Sequence, residues 1–267
     1  MKIRKLAIAT MAAVALNTGF VGIAQAEGKS ASKYGVESRL PSVRTPADVD
    51  KLKLGKEEKA LAKENLKRVP PTDGWWIMGS SPDIQAMWQM VERWLLSSMY
   101  PEFQAVPLSP TNLMTIMVSK YNDSEYAVGL LNNYTIRAVD ALGMEEEILT
   151  KLHMLDYPES EIWSEEESLI IRFTNAAMDR NVSDELYKEA QKAWGDEKIL
   201  QYVSWMGFVD SVVRMCKVAD IKYNFGMQPP KGAVNQKSTD EILEFEKHQR
   251  EVLRKMWLSM NKFEGDF

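Results

Sequence analysis

The chain has almost none of the residues from which most metal sites and all disulfides are built. It contains one cysteine, Cys216, and two histidines, His153 and His248, in 267 residues. A single cysteine excludes an intramolecular disulfide, and the histidines lack a metal-ligand spacing, which argues against a zinc or haem site. We expect no cofactor, although a metal site made only of carboxylates stays open. Cys216 is predicted to be a small buried apolar residue, and His153 to pack within a helix.

Beyond residue 26 the sequence also lacks an apolar run long enough to span a bilayer. The first 26 residues combine the basic residues Lys2, Arg4 and Lys5 with an apolar stretch that closes on Ala24-Gln25-Ala26, a pattern typical of a cleaved signal peptide. The alternative is a membrane anchor that stays attached, but polar residues interrupt its short apolar run. We therefore expect export, most simply to a bacterial periplasm, and no stable membrane insertion.

Basic charge is scarce as well. The formal charge is −5, and removal of the leader, which carries three basic and no acidic residues, leaves 30 basic against 38 acidic residues, or −8. An acidic balance argues against binding to nucleic acid, which needs clustered cations. The remaining chain of about 240 residues is long enough to bury one large core.

Strand patterns and glycine-rich phosphate loops are missing, and apolar residues recur instead at three- and four-residue steps. The fold is therefore predicted to be all-α. Helices are predicted to begin at Ser81-Pro82, at Ser109-Pro110 and at a Ser164/Glu167 capping box. Two further helices are predicted on either side of Gly195.

The composition divides the chain into four parts. A signal peptide occupies residues 1–26, and a polar N-terminal arm with a charged helix over 48–68 occupies residues 27–79. A helical domain is predicted over 80–225, followed over 226–267 by a linker and an amphipathic C-terminal helix. That last helix packs either on its own bundle or on a neighbouring subunit.

Two stretches carry a family resemblance, "PLSPTNLMTIMVSKYNDSEYAVGLLNNYTIRAVDALGMEEEI" and "WSEEESLIIRFTNAAMDRNVSDELYKEAQKAWGDEKILQYVSWMGFVDSVVRM". In the order and spacing of their motifs, about residues 80–220 resemble the carboxymuconolactone decarboxylase and alkylhydroperoxidase D-like family. The resemblance implies an alkylhydroperoxidase D-like helical bundle. It also implies a homo-oligomer, a trimer or a multiple of one.

The thiol chemistry of that family has no counterpart in this chain. In its thiol members a C-x-x-C-x-x-x-H motif opens a helix, whose dipole lowers the thiol pKa while the histidine exchanges the proton. The matching positions hold Ser124, Ala127 and Leu131, and Asn112 stands where the family has a glutamate. Serine forms no comparable thiolate and leucine transfers no proton, so thiol peroxidase chemistry is excluded at this site.

The decarboxylase branch of the family needs no cysteines, and Ser124-Glu125-Tyr126 is similar to its motif. Such a reaction moves a proton at a carbon next to a carbonyl, and Glu125 and Tyr126 are the candidate catalytic residues for it. Asp210 and Arg214 share a helix face, and the family keeps an arginine near this place. The alternatives are a structural role for Glu125 at a helix start and a surface ion pair for Asp210 and Arg214. The predicted substrate-binding residues are Asn112, Ser124, Leu131, Asp210 and Arg214.

Two functions follow from these residues. In the first, an exported protein of this family without peroxidase chemistry binds a small apolar or singly anionic molecule. In the second, a cofactor-free lyase or decarboxylase transfers a proton on a small carbonyl acid. The two are distinguished by whether the predicted site residues converge on one place in the structure.

Overall fold

A computed structural model describes residues 38–68, 73–99, 108–124, 145–221, 248, 251–256 and 258–259. Within these ranges the regular structure is helical and contains no strand, which confirms the predicted all-α fold. No helix in the described ranges combines the length and the apolar character needed to cross a membrane. The predicted signal peptide, most of the C-terminal linker and helix, and the site residues Glu125, Tyr126 and Leu131 lie outside the described residues.

The N-terminal region forms two short helices, α1 (Pro46–Lys51) and α2 (Lys56–Asn65), where the sequence predicts one charged helix. Leu52 ends α1 in an extended conformation, and Gly55 starts α2 by donating its N–H to Glu58. A small apolar cluster of Val43, Val49 and Ala62, with Leu52 and Leu66 against it, joins the two helices.

Residues 38–44, here called the N-terminal strap, connect this region to the rest of the molecule. The Arg39 N–H donates to the Ala219 carbonyl at 2.6 Å. The Val43 side chain is buried against Gly79, so closely that a Cβ on Gly79 would lie 2.7 Å from the Val43 Cβ. The predicted polar arm is thus packed onto the molecule over this stretch.

The main body contains α3 (Asp73–Ile77), a 3-10 turn (Met78–Ser80), α4 (Pro82–Met99), α5 (Pro110–Tyr121), α6 (Glu145–His153), α7 (Glu165–Met178) and α8 (Asp184–Val218). These helices surround one large apolar core. Serines and prolines set several of the starts, since Ser109 caps α5 and Ser164 forms the predicted capping box with Glu167. Gly195, at φ 78° and ψ 165°, breaks α8 where the sequence predicts a boundary between two helices.

Helices α5 and α8 run in the same direction. Near the start of α5, the Trp205 indole N–H donates to the Thr111 carbonyl at 3.2 Å and to the Thr115 hydroxyl at 3.0 Å. Beyond the end of α5, Asn122 contacts Asp210 further along α8. The carboxyl end of α5 therefore faces the second half of α8.

Two sequence predictions about single residues have opposite outcomes. Cys216 is 3% exposed within α8, which confirms that it is a small buried residue. His153 is the last residue of α6 and is exposed, so the prediction that it packs is wrong. The amphipathic pattern of the segment places its apolar side chains inward, but the histidine falls at the helix end on the solvent side.

Candidate functional site

The structure brings together only part of the predicted site. Asn112 lies in the first turn of α5 and Ser124 lies just beyond its end. The nine residues from Asn112 to Tyr121, where the helix ends, correspond to about 14 Å of helix, too far for both to contact one small molecule. Asp210 and Arg214 lie near the end that carries Ser124, whereas Asn112 is buried near the opposite end.

The centre of the site is the carboxylate of Asp210, which is held from both sides. Its Oδ1 accepts a hydrogen bond from Asn122 Nδ2 at 2.8 Å, and its Oδ2 accepts one from Arg214 Nε at 2.8 Å. The Asp210 side chain is 20% exposed, and the Arg214 side chain is 61% exposed. The pair is therefore not an isolated surface ion pair, because Asn122 links it to the end of α5.

Within the part of the chain that the structure describes, Arg214 uses only one of its three side-chain nitrogens. Its Nε is committed to Asp210, while NH1 and NH2 donate no hydrogen bond to any of the residues that the structure describes. An arginine in this state can still bind an anion end-on through its two terminal nitrogens. Asp210, each of whose oxygens accepts one of these hydrogen bonds, orients the guanidinium.

Lys217 closes the carboxyl end of α5 from the same face of α8. Its Nζ donates to the Asn122 carbonyl at 2.6 Å, one of the orphan carbonyls of a helix end. A cation is favoured there because the carboxyl end of a helix carries partial negative charge. Among the described residues Lys217 has no carboxylate partner, so its charge adds to the positive side of the site.

Tyr121 connects the site to the end of α7. Hydrogen bonding to the Asp179 carboxylate raises the pKa of the Tyr121 hydroxyl, because the acceptor favours the protonated phenol. The Tyr121 side chain is 49% exposed, so the phenol remains accessible from solvent. We call the group formed by Tyr121, Asn122, Asp179, Asp210, Arg214 and Lys217 the carboxyl-end cluster.

Local spacing predicts part of this cluster and misses the rest. Lys217 lies three positions after Arg214 and seven after Asp210, which places it on the same helix face and could have been read from the sequence. Tyr121 and Asn122 join through contacts between helices far apart in the chain, for which the sequence carries no local signal.

Comparison with known proteins leaves the family open, since no protein-family model, no curated protein and no solved structure matches the chain. The family resemblance seen in the sequence therefore stays a prediction. Among the described residues, no group of three or more histidine, cysteine, aspartate or glutamate side chains is arranged to hold a metal ion.

Proposed function

We propose that the protein binds a small apolar or singly anionic molecule and has no thiol peroxidase activity, as a divergent relative of the carboxymuconolactone decarboxylase family. The observation that carries the proposal is the guanidinium of Arg214, which Asp210 orients and whose two terminal nitrogens bond none of the described residues. The competing lyase reaction depends on Glu125 and Tyr126, which lie outside the described residues.

The charges around Arg214 favour a ligand with one negative charge. Lys217 is engaged with the Asn122 carbonyl, and Asp179 and Asp210 place carboxylates in the same cluster. A second negative charge on the ligand would meet these two carboxylates, with only Lys217 among the described residues to offset them, which costs free energy. A monocarboxylate with an apolar body avoids that cost.

The test is titration calorimetry with benzoate as the singly anionic probe and succinate as the dicarboxylate. A buried arginine would contribute about 1.5–3 kcal/mol, but the exposure of Arg214 lowers the expectation to about 0.4–1 kcal/mol, or a Kd about 2- to 5-fold higher in Arg214→Ala. Equal benzoate affinities of the two proteins would contradict the proposal, as would tighter binding of succinate than of benzoate.

Arg68→Ala is the matched control for that titration. Arg68 also pairs with a carboxylate four positions away, Glu64, at 2.8 Å, and its side chain is 62% exposed. It lies three residues beyond the end of α2, outside the carboxyl-end cluster. Its removal should therefore leave the benzoate affinity unchanged, which separates a site effect from a general loss of positive charge.

The absence of peroxidase activity rests on Cys216, which is the single cysteine of the chain and is buried. A peroxidatic thiol must be reached by the peroxide, and regeneration through a disulfide needs a second thiol. The purified protein should not reduce an organic hydroperoxide in the presence of a dithiol. Turnover that disappears in Cys216→Ser would refute this part of the proposal.

Export and self-association complete the proposed function. The basic leader and Ala24-Gln25-Ala26 support export, and the family resemblance supports a homo-oligomer. Mass spectrometry of protein from the periplasm of an expressing bacterium should find a new N-terminus near Glu27, and retention of Met1 would contradict export. Light scattering that returns the mass of a single chain would contradict the oligomer.

A further inference from the structure

One face of α8 is exposed to solvent and uncharged over its middle turns. Beyond the break at Gly195, the exposed positions between Glu197 and Arg214 are Leu200, Val203, Ser204 and Gly207, here called the α8 outer face. Leu200 is 68% exposed and Val203 is 45% exposed. Residues three, four and seven positions apart lie on the same side of a helix, so these four positions form one surface. An exposed apolar surface of this kind, flanked by polar residues, is a candidate contact surface.

Gly207 lies at the centre of the α8 outer face. Its backbone is helical, so the left-handed conformations that favour glycine are not needed here. A Cβ on Gly207 would meet nothing within 4 Å, so the fold of the single chain does not require so small a residue either. Because glycine weakens a helix interior relative to alanine, its contribution here is to allow another backbone to approach closely.

Charges of opposite sign flank the two ends of this face. Asp196 and Glu197 lie at one end, Arg214 and Lys217 lie at the other, and all four are exposed. Gly207 comes ten residues after Glu197 and ten residues before Lys217. A second α8 laid antiparallel across the first, with the two copies of Gly207 in contact, therefore brings Glu197 of each copy opposite Lys217 of the other.

Both of these charges can form such a pair. Glu197 Oε1 accepts a hydrogen bond from Gln201 Nε2 at 3.4 Å, and Glu197 forms no ion pair with the residues that the structure describes. Lys217 Nζ donates to the Asn122 carbonyl, and an ammonium group has three N–H donors. The face is thus complementary in charge to a second copy of itself.

We propose that the α8 outer face is a self-association surface, on which a second copy of this chain packs its own α8 antiparallel about a two-fold axis at Gly207. The inference rests on the self-association in the proposed function and names the surface that produces it. Steps of seven residues from Gly207 place Leu200 opposite Arg214, whose aliphatic stem can cover the leucine while its terminal nitrogens stay in solvent. Two-fold pairing also gives an even number of chains.

The size of the face sets the strength of the contact. From Glu197 to Lys217 the helix is about 30 Å long, and one side of a helix about 10 Å wide offers about 300 Å² per copy. A stable interface buries about 800 Å² per partner, so this contact alone gives a weak pair that forms as the protein concentration rises.

A second exposed apolar surface, on α4, is the alternative. Its members are between 37% and 43% exposed and follow one side of the helix: Ile84, Met87, Met90 and Trp94. Among the exposed positions described on α4, the charged one is Asp83, at the amino end. This surface therefore has no basic end that would complement a second copy, and it serves as the control surface.

The experiment follows assembly by sedimentation velocity of the purified protein from about 1 μM to about 500 μM, a range that covers weak interfaces. The unaltered protein should shift toward a mass of two chains as the concentration rises. Gly207→Leu should abolish this shift, because a bulky side chain at the crossing holds the two helices apart. Its melting temperature at low concentration should not fall, because the position opens to solvent.

Charge reversal tests the antiparallel arrangement. Glu197→Lys and Lys217→Glu, each alone, place like charges opposite one another twice in a symmetric pair and should weaken association about 10-fold. An equimolar mixture of the two variants brings opposite charges together again and should restore association as a mixed pair. Lys192→Glu is the control, since Lys192 is exposed on α8 before the break at Gly195 and lies outside the outer face. It should associate like the unaltered protein.

The outcomes separate this inference from the function on which it rests. If the unaltered protein stays a single chain at every concentration, the proposed self-association is refuted and this inference with it. If Gly207→Leu associates as well as the unaltered protein, or if Met90→Lys on α4 dissociates in its place, the α8 outer face is refuted and self-association survives. A mixture of the two charge variants that stays dissociated would refute the antiparallel pairing. A clearly lower melting temperature of Gly207→Leu would show that the same chain covers this face, which also refutes the proposal.

Discussion

The two ends of α5 differ in their exposure to solvent and in the side chains that they contact. Toward its amino end, Leu113 and Ile116 are at most 1% exposed, and Thr111 and Thr115 tie the helix to Trp205. At its carboxyl end, Val118 is still buried in the core, but Lys120 is exposed and Tyr121 is 49% exposed. One helix of 12 residues thus joins a packed core to a solvent-accessible polar cluster.

This difference predicts which substitutions change the free energy of unfolding and which change ligand binding. Buried apolar side chains contribute free energy of folding through the area that they remove from water, whereas exposed ion pairs contribute little. Substitutions at the amino end should therefore act mainly on the free energy of unfolding. Substitutions at the carboxyl end should act mainly on ligand binding.

The largest effect is expected from Leu113→Ala, because the side chain is 0% exposed in the main core. Removal of its buried methyl groups and the resulting cavity should lower the free energy of unfolding by about 2–5 kcal/mol. Urea denaturation followed by circular dichroism measures the loss. Benzoate affinity of the folded variant should stay unchanged. A loss of stability well under 1 kcal/mol would contradict the conclusion that the amino end of α5 acts mainly on the free energy of unfolding.

The next effect concerns the N-terminal strap, which reaches the end of α8 beside the cluster. In Gly79→Ala the new Cβ would stand 2.7 Å from the Val43 Cβ, so the strap must shift, at about 1–3 kcal/mol. Gly207→Ala in α8 is the control, because its Cβ would meet nothing within 4 Å. Equal melting temperatures of the two variants would show that the strap does not pack against Gly79 as described.

A smaller effect is expected from Asp210→Ala. The substitution leaves Asn122 and Arg214 without their shared acceptor and should cost about 0.5–1.5 kcal/mol of stability. Benzoate binding should weaken at the same time, because the guanidinium loses the partner that orients it. Denaturation measures the loss of stability and calorimetry measures the affinity of the same variant. An unchanged affinity would show that Asp210 does not orient Arg214 for binding.

The smallest effect is a pH dependence at Tyr121, whose pKa is raised from 10.0 mainly by its hydrogen bond to Asp179. Since the folded pKa lies above the unfolded value, the contribution to stability is fully present below pH 10.0 and is lost as pH rises through the folded pKa. Ultraviolet titration of the unaltered protein against Tyr121→Phe isolates this phenol. Asp179→Asn should return its pKa toward the ordinary value, and a titration unaffected by Asp179→Asn would remove the link between α5 and α7.

The sequence predicts the starts of these helices better than their ends. Ser109 and Ser164 are recognisable because a hydroxyl before a helix caps its first N–H groups wherever the helix packs. The ends of α5, α7 and α8 lack the glycine that usually marks such a turn, and Asp123 and Arg180 give no warning of a left-handed conformation.

Only the part of the candidate site that lies within one helix could be predicted from the sequence. Asp210 and Arg214 follow from a four-residue spacing, which depends only on helix geometry. The part played by Asn122 depends on how α5 packs along α8, which no local pattern records. Asn112 was predicted to join the site because the resemblance supplies matching positions but no distances. In the structure it lies near the opposite end of α5 from the Asp210–Arg214 pair.

The most direct test of the division along α5 is a nuclear magnetic resonance titration of the isotope-labelled protein with benzoate. Amide shifts should move for residues 119–124, 178–182 and 210–217, around the carboxyl-end cluster, and those of residues 111–116 should stay in place. Shifts confined to residues 111–116 and to the neighbourhood of Trp205, with the cluster unmoved, would contradict it.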